Sequence, residues 1–339
     1  MSIVELKHSL RKGDFQLDVD TRIPETGVTG IFGESGSGKT TLLRCIAGLE
    51  GSTGGASLPV HRRRIGYVFQ EPQLFAHLSV RKNIEFGMRR NPDATDTVEE
   101  VSRLLEVNDL LGRSTAGLSG GEAQRVSIAR VLCQSPQLIL MDEPLSALDE
   151  RRRNEVLPYL DRLHADWSVP IIYVSHNIDE ICRLSDHLVV LNKGRIVAEG
   201  ELHDVLSRID LPQLGGRNAG AVLDATQSRY DDEFDLTLFG FSGGEIWVPG
   251  HHDAPSARLR INASDISLSR VRAESSTILN ILPVTIEATA TESESTELVR
   301  LSLGEDSLVA RITRRSLQHL ELQVGDKVYA QIKSVTVRR

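Results

Sequence analysis

The sequence predicts an α/β domain built around a phosphate-binding loop over residues 1–208, followed by a small all-β barrel at the C-terminal end. Three observations carry this. A glycine-rich segment, Gly33 to Thr40, sits between a short apolar run and a helical pattern; apolar runs alternate with helical patterns up to about residue 208; and beyond residue 210 the pattern becomes mostly period two, broken by glycine-containing turns.

Gly33-Glu34-Ser35-Gly36-Ser37-Gly38-Lys39-Thr40 matches G-x-x-x-x-G-K-[ST] at every fixed position. Val28 to Phe32 reads as a buried strand before it, and Thr40 to Gly48 as a helix after it. Glycines allow backbone amides to turn inward around phosphate oxygens, and the helix N-terminus adds partial positive charge. Lys39 supplies a full charge, and the Thr40 hydroxyl is placed for Mg²⁺; Thr41, next in the same helix, belongs with the binding segment. A plain strand–helix connector would need neither Lys nor Thr at those positions.

Leu138 to Asp142 reads as a central strand, with Asp142 at its C-terminal end to hold the metal shell. Glu143 follows as a candidate general base, and Pro144 stops the strand. Ser119 and Glu122 form a capping box opening a helix with apolar positions Val126, Ala129 and Leu132. Gly120 and Gly121 are poor residues for a first helical turn, costing up to about 1 kcal/mol each against alanine. A phosphate approaching that N-terminus would account for the bare backbone.

These segments, with Gln70 inside Tyr67-Val68-Phe69-Gln70-Glu71-Pro72, Ser146-Ala147-Leu148-Asp149 and His176, resemble the nucleotide-binding subunits of ABC transporters. The resemblance covers roughly residues 1 to 208 and implies a P-loop NTPase fold with an inserted helical lobe, binding ATP and Mg²⁺. It further implies a homodimer paired head to tail, in which the phosphate loop of one copy and Ser119, Gly120 and Gly121 of the other grip one nucleotide. Carried onto this chain, Gln70 would touch Mg²⁺ and the attacking water, Asp149 would lie at the seam, and His176 would meet the γ-phosphate. Phe75, His77 and Leu78 would present the groove for a membrane subunit. Two departures stand out. The signature ends in Glu122 where the family has glutamine, a swap the capping box explains. The loop Leu10-Arg11-Lys12-Gly13 lacks the aromatic that stacks on adenine; Phe15 is the nearest substitute and suits a core position equally well.

Composition bounds the rest. The 339 residues should form two or three domains, with 40% hydrophobic residues for a sizeable core. A net charge of −8 argues against a nucleic-acid partner. The basic clusters His61 to Arg64 and Arg151 to Arg153 read as solvated faces, and the widely spaced Cys45, Cys133 and Cys182 as reduced thiols rather than a disulfide framework or zinc site. Met1 leads into a polar strand rather than a signal peptide, and no apolar run is long enough to span a bilayer, so any membrane role must come through a partner.

Residues 72 to 117 lack α/β alternation and carry a helical stretch at Val98 to Leu111, an inserted lobe. Further on, the pattern gives a helix at Leu157 to Leu163, a strand at Ile171 to Val174 and a hairpin turned at Asn192-Lys193-Gly194. Gly215 to Gly220 suggests a linker. The expected domains are 1–208, a linking segment with extra strands at 209–273, and a barrel at 274–339. Seven strands are expected: Asp235 to Phe239, Glu245 to Val248, Arg258 to Ile261, Val284 to Ala288, Leu298 to Leu303, Leu308 to Ile312 and Lys327 to Val337. With one helix near Ser316 to Leu322 they argue for an OB-like barrel.

Leu259 to Leu268, Asn280 to Val284 and Tyr329 to Val335 resemble the appended (Mop/TOBE-type) barrel of molybdate-importer ATPases. That resemblance implies an ATPase beneath two integral permease subunits at the cytoplasmic face of a bacterial inner membrane, fed by a periplasmic molybdate-binding protein. It also implies an oxyanion site, for molybdate or tungstate, at Ser276, Thr277, Asn280, Lys333 and Ser334; Ile278 and Leu279 stand where a basic residue often precedes the asparagine. Sister importers for sulfate, iron or sugars would share every nucleotide motif, and an oxyanion sensor is a further alternative. A soluble ABC ATPase of translation or DNA repair would carry two cassettes or a coiled-coil insertion.

Overall fold

A ten-residue antiparallel hairpin opens the chain: β1 (Ile3–Lys12) pairs with β2 (Phe15–Pro24) across Gly13, whose φ of 60° the turn requires. In β2, Leu17, Val19, Thr21 and Ile23 face the core while Gln16, Asp18, Asp20 and Arg22 face outward, as period-two patterning dictates. β3 (Val28–Phe32) is buried along its whole length, as expected of a strand covered on both faces. It runs through the phosphate loop into α1 (Lys39–Ala47), which Gly48 closes in the left-handed conformation. Arg63 donates to the Ile46 carbonyl at 2.8 Å. It therefore closes the end of α1 instead of forming a solvated face; His61 and Arg62 of the same cluster lie outside the described residues. The computed structural model describes residues 3–51, 53, 60, 63–88, 91, 97–166 and 169–338.

The chain divides into two units, Met1–Glu199 and Gly200–Arg339. In the first, β4 (Ile65–Val68), β5 (Leu138–Asp142), β6 (Ile171–Ser175), β3 and β7 (His187–Asn192) lie side by side, with parallel pairing between neighbours. β8 (Arg195–Glu201) joins this set to the opening hairpin. The register aligns Phe32 with Ser175 and Asp142 with Val174, so the segments after β3, β5 and β6 emerge at one edge. That edge, at the carboxyl ends of parallel strands, is where such sheets bind ligands.

The inserted lobe contains α2 (Val80–Met88) and α3 (Val98–Leu104), and α4 (Gly120–Leu132) follows it. The helix expected over 98–111 ends at Leu104, because Glu106 turns left-handed at φ 49° and a 3₁₀ turn follows at Asn108–Leu110. Fully buried Asn83 knits the preceding loop: it accepts from Phe75 N–H and donates to the Phe75, Leu78 and Ser79 carbonyls. α5 (Glu150–Asp166) and α6 (Ile178–Leu184) complete this unit.

The second unit opens with α7 (Leu202–Leu206) and two 3₁₀ turns between Pro212 and Asn218 where a linker was expected. Nine of its strands follow in order: β9 (Gly220–Asp231), β10 (Leu236–Phe241), β11 (Gly244–Pro249), β12 (Ser256–Asn262), β13 (Ile266–Ser269), β14 (Asn280–Thr291), β15 (Thr296–Leu303), β16 (Asp306–Thr313) and β17 (Lys327–Ile332). A short α8 (Arg314–His319) precedes β17, and β18 (Thr336–Arg338) ends the chain. They form two five-stranded sheets, β11-β10-β9-β12-β18 and β13-β17-β14-β15-β16, over one core in which Leu223, Phe239 and Leu259 meet Ile286, Leu301 and Leu308. Lys327 to Val337, expected as one strand, breaks at residues 333–335 so that β17 and β18 join different sheets. β9 was not expected, because its second half alternates among polar residues and carries no apolar period.

The β7–β8 turn bears on the site. Gly194 has φ 78°, and a Cβ there would stand 2.0 Å from the Gln16 carbonyl oxygen. Its N–H donates to the Ser37 carbonyl, and its carbonyl accepts from Asp18 N–H, both at 2.8 Å. Gly194→Ala should therefore cost roughly 2–4 kcal/mol, from left-handed strain plus overpacking, and should weaken nucleotide binding through the loop it holds. Denaturant unfolding and nucleotide titration check this; an unchanged unfolding midpoint would refute it.

Candidate functional site

The phosphate loop is shaped by close backbone approach. A Cβ at Gly33 would lie 2.3 Å from the Leu191 carbonyl oxygen, so only glycine lets the loop leave β3 beside β7. Gly36 (φ 81°) and Gly38 (φ 105°) turn the chain left-handed into α1, leaving Glu34, Ser35 and Gly36 exposed. Buried Ser37 Oγ has no hydrogen-bond partner. Phe15 settles against this entrance: a Cβ on Gly38 would meet its ring at 2.6 Å, and the same ring packs on the core formed by Leu17, Leu42 and Ile31. Phe15 is half-buried there, one side of its ring on the core and beside the phosphate loop.

Lys39 is 5% exposed and donates to the Gly33 and Glu34 carbonyls at 2.8 and 3.1 Å. Burial holds its ammonium below the ordinary lysine pKa, although Glu143 and Asp142 act in the opposite direction. Phosphate oxygens would add the negative charge that favours the ammonium form. One residue on, Thr40 Oγ donates to Asp142 Oδ1 at 2.9 Å, and Tyr67 donates to Asp142 Oδ2 at 2.9 Å. Burial, with the Asp142 charge second, raises the Tyr67 pKa far above its usual value and keeps it a donor. Tyr67 lies three residues before Gln70, yet no spacing rule pairs it with Asp142; the parallel register of β4 and β5 does so.

Glu143 follows in the left-handed region at φ 45°, a conformation costing about 1–2 kcal/mol for a non-glycine residue. Its N–H donates to the Val174 carbonyl at 3.0 Å, and its own carbonyl accepts from Ser146 Oγ at 2.8 Å. This clamp aims the carboxylate at two partners, His176 Nδ1 at 3.0 Å and Lys39 Nζ at 3.7 Å. Lys39, Thr40, Asp142, Glu143 and His176 therefore converge at the carboxyl edge of the sheet. Gln70 stands exposed two residues beyond β4 on the same edge.

Ser119, Glu122 and Asp149 are held by local bonds. Ser119 Oγ accepts from Glu122 N–H at 3.3 Å, and Glu122 returns a bond to Ser119 N–H at 2.7 Å, completing the capping box. A Cβ on Gly120 would press on Leu148 at 3.1 Å, so packing alone favours glycine there; at Gly121 the nearest atom is 3.7 Å away. Exposed Asp149 accepts from Arg152 N–H at 2.9 Å and caps α5. Arg153, expected on a solvated face, is instead turned inward to Glu180. Phe75 packs tilted against Phe86 with ring centres 4.5 Å apart and lies beneath Arg130, while His77 is exposed.

In the second unit, β14 begins where β17 ends, with Asn280 opposite Ile332. Lys333 and Ser334 follow β17 beside the start of β14, and Ser276, Thr277, Lys333 and Ser334 are all exposed. Ser276 Oγ accepts from Ile278 N–H at 3.0 Å. The Asn280 amide is engaged on both sides, accepting from Trp247 N–H at 2.8 Å and donating to Trp247 O at 2.9 Å.

The ABC transporter family matches residues 17–146, and the TOBE domain matches residues 276–338. The chain is 48% identical over 343 residues to the molybdenum import ATP-binding protein ModC 1 of Azotobacter vinelandii, covering 95% of each. It is also 48% identical to the molybdenum import ATP-binding protein ModC of Thiobacillus denitrificans, covering 95% of this chain and 94% of that one. Among solved structures, cbiO1 of Clostridium perfringens, described as part of the ABC transporter complex cbiONQ, superposes with a TM-score of 0.52 at 24% identity. That match covers 62% of this chain and 92% of the other, and shows the fold. A dimeric ATP-binding cassette described in a post-hydrolysis state with ADP and Pi superposes with a TM-score of 0.50 at 26% identity, covering 60% of this chain and 99% of that one. At 48% identity over 95% of this chain, and with both domain matches in it, the chain belongs to the ModC family of ABC-transporter ATP-binding subunits.

Proposed function

We infer that this chain hydrolyses ATP to drive molybdate import and that the residues gathered at the sheet edge do the chemistry. The observation that carries this reading is the Glu143 carboxylate, held 3.0 Å from His176 and 3.7 Å from Lys39 beside the Thr40–Asp142 pair. Backbone amides of residues 33–41 receive the β- and γ-phosphates, and Lys39 exchanges its loop carbonyls for phosphate oxygens. Thr40 and Asp142, two hard oxygen donors 2.9 Å apart, suit Mg²⁺, which takes few protein ligands alongside substrate phosphates; Gln70 would complete the protein's share. Held there, Mg²⁺ would supply charge neutralisation for the outer phosphates. Glu143 accepts the proton of the attacking water, and His176 orients Glu143 and meets the γ-phosphate. Ser119, Gly120, Gly121 and Asp149, whose bonds within this chain are local, serve the nucleotide of a second copy in a head-to-tail homodimer.

Among the described residues no helix is long and apolar enough to cross a membrane. Two permease subunits are therefore the proposed membrane partners, met at the loop 75–78 that Asn83 stiffens, with a periplasmic molybdate-binding protein supplying the anion. The chain would then work as a peripheral subunit on the cytoplasmic face. Sulfate, iron or sugar import is disfavoured by the near-full-length ModC relatives, whose names specify molybdenum import.

Glu143→Gln should lower turnover by at least about a hundredfold, since it removes the base while preserving shape, and ATP should then trap a stable dimer. Turnover within tenfold of the parent would show that Glu143 is not the base. Lys39→Ala should weaken ATP binding by about ten- to a hundredfold, the scale of one charged hydrogen bond; titration showing unchanged affinity would remove Lys39 from the phosphate site. Ser119→Arg should leave the monomer folded and ATP-bound but inactive. Mixing it with Lys39→Ala should restore about one working site per heterodimer, and no recovery would argue against shared sites.

For the barrel, an oxyanion would meet the Ser276 and Thr277 hydroxyls, Lys333 and Ser334, with Asn280 mainly fixing the turn through Trp247. One ammonium for a dianion predicts weak binding, because each missing charged contact costs about 1.5–3 kcal/mol. The full chain should be used for calorimetry, as β17 pairs with β13 and a fragment starting at residue 274 would lose that strand. Molybdate should bind in the micromolar range or weaker; sub-micromolar binding, or none at millimolar anion, would refute the weak site.

A further inference from the structure

Beneath His176 lies a buried polar cluster that the hydrolytic roles above leave unused. Glu180 on α6 is 4% exposed, Tyr173 1% and Ser175 2%. Both hydroxyls donate to Glu180 Oε2 at 2.8 Å, and Ser175 Oγ also accepts from Asn177 N–H at 3.0 Å. Glu180 Oε1 faces Arg153 Nε at 3.3 Å. Arg153 in turn donates to the Leu148 carbonyl at 3.5 Å, and its backbone N–H donates to the Asp149 carbonyl at 2.9 Å. A carboxylate this deep is costly unless compensated, and two hydroxyls with one guanidinium compensate it.

A core ion pair kept only for stability would account for the burial but not for the neighbours. Ser175 and Asn177 flank His176 on either side. Leu148 and Asp149 are the loop proposed to lie at the seam with a second copy. The two halves of the cluster also differ in stiffness. The hydroxyl half is aligned and short, and burial together with the Glu180 charge raises the Tyr173 pKa, so that its proton stays in place. The Arg153 Nε–H is not aimed along its 3.3 Å line to Glu180 and makes no aligned hydrogen bond. Charge attraction across that gap tolerates tilt, whereas the hydroxyl bonds do not.

We propose that Glu180 is a positioning residue for hydrolysis: its carboxylate joins the turn that carries His176 to the loop that carries Asp149, so that the His176–Glu143 contact is held in register with the seam loop when a second copy docks. The rigid half fixes the backbone around His176. The Arg153 half follows the seam loop. Glu180 touches neither nucleotide nor water in this scheme and acts through His176. The proposal rests on the roles assigned above to Glu143 and His176.

The test is steady-state ATPase of the full transporter complex carrying Glu180→Gln, which keeps volume and removes the charge that Arg153 follows. Turnover should fall about ten- to a hundredfold while the KM for ATP stays within about twofold, the signature of a step after binding. Arg153→Met should do the same, and the double variant should be no worse than either single one, because both break one joint. Parent-like turnover per folded molecule, even with a lowered melting temperature, would show a structural pair only and overturn the proposal; so would additive losses. Should Glu180→Gln not fold, Arg153→Lys keeps the charge but shortens the reach to Leu148, and its turnover should fall by a smaller factor at unchanged KM; parent-like turnover there overturns the proposal equally. Turnover surviving Glu143→Gln would instead refute the base assignment itself, an outcome separate from failure of the joint.

Discussion

The constraint on which the rest of the first unit depends is the placing of the Lys39 ammonium, buried among backbone carbonyls at the edge of a parallel sheet. A cation in that position needs oxygen around it, and the Gly33 and Glu34 carbonyls provide it at 2.8 and 3.1 Å. Those carbonyls can turn inward only because Gly33 runs against the Leu191 carbonyl and Gly36 and Gly38 adopt left-handed backbone. The β7–β8 turn holds the other side of the loop through Gly194 and Ser37. The phosphate loop is thus less a flexible glycine stretch than a cast taken from β7 and β8. The parallel register then supplies the carboxylates, since Asp142 and Glu143 leave β5 level with the end of β6 and beside the loop after β3.

Much of this was legible in the sequence, and what was not has a common cause. Motifs with fixed local spacing named Lys39, Thr40, Asp142 and Glu143, because one turn or one strand end determines their geometry. β3 was read end to end, and α1 to within a residue of its start, since apolar run, loop and Gly48 cap agree. The Tyr67–Asp142 bond, the Asn83 knot and the Glu180 cluster join segments 75, 8 and 27 residues apart, measured from Tyr67, Phe75 and Arg153 respectively. Tertiary pairing sets them, and no local pattern announces them. Arg63 and Arg153 illustrate the same point: each looks like surface charge in a basic run, yet each turns inward to a carbonyl or a carboxylate. In the second unit the polar half of β9 and the break at residues 333–335 escaped a period-two reading, because strand membership there follows from which sheet the chain must complete.

Glu122 shows how a departure from family pattern can be absorbed. The Ser119 hydroxyl oxygen accepts from Glu122 N–H, which occupies a lone pair and leaves the hydroxyl hydrogen to donate. Glu122 bonds Ser119 N–H, and that bond holds its carboxyl below the usual carboxylate range, so the side chain stays ionised. A negative charge at a helix N-terminus stabilises the helix, yet here it lies on the face inferred to receive the phosphate of a second copy. Its neighbours soften the conflict. Arg113 and Arg125 both lower the Glu122 pKa through their charge, and by the same attraction they screen the carboxylate. The amides of Gly120 and Gly121 and the free Ser119 hydrogen remain the nearest donors. A glutamine would cap the helix with no charge to offset; a glutamate caps it more strongly and relies on two arginines to keep the anion-facing end positive on balance.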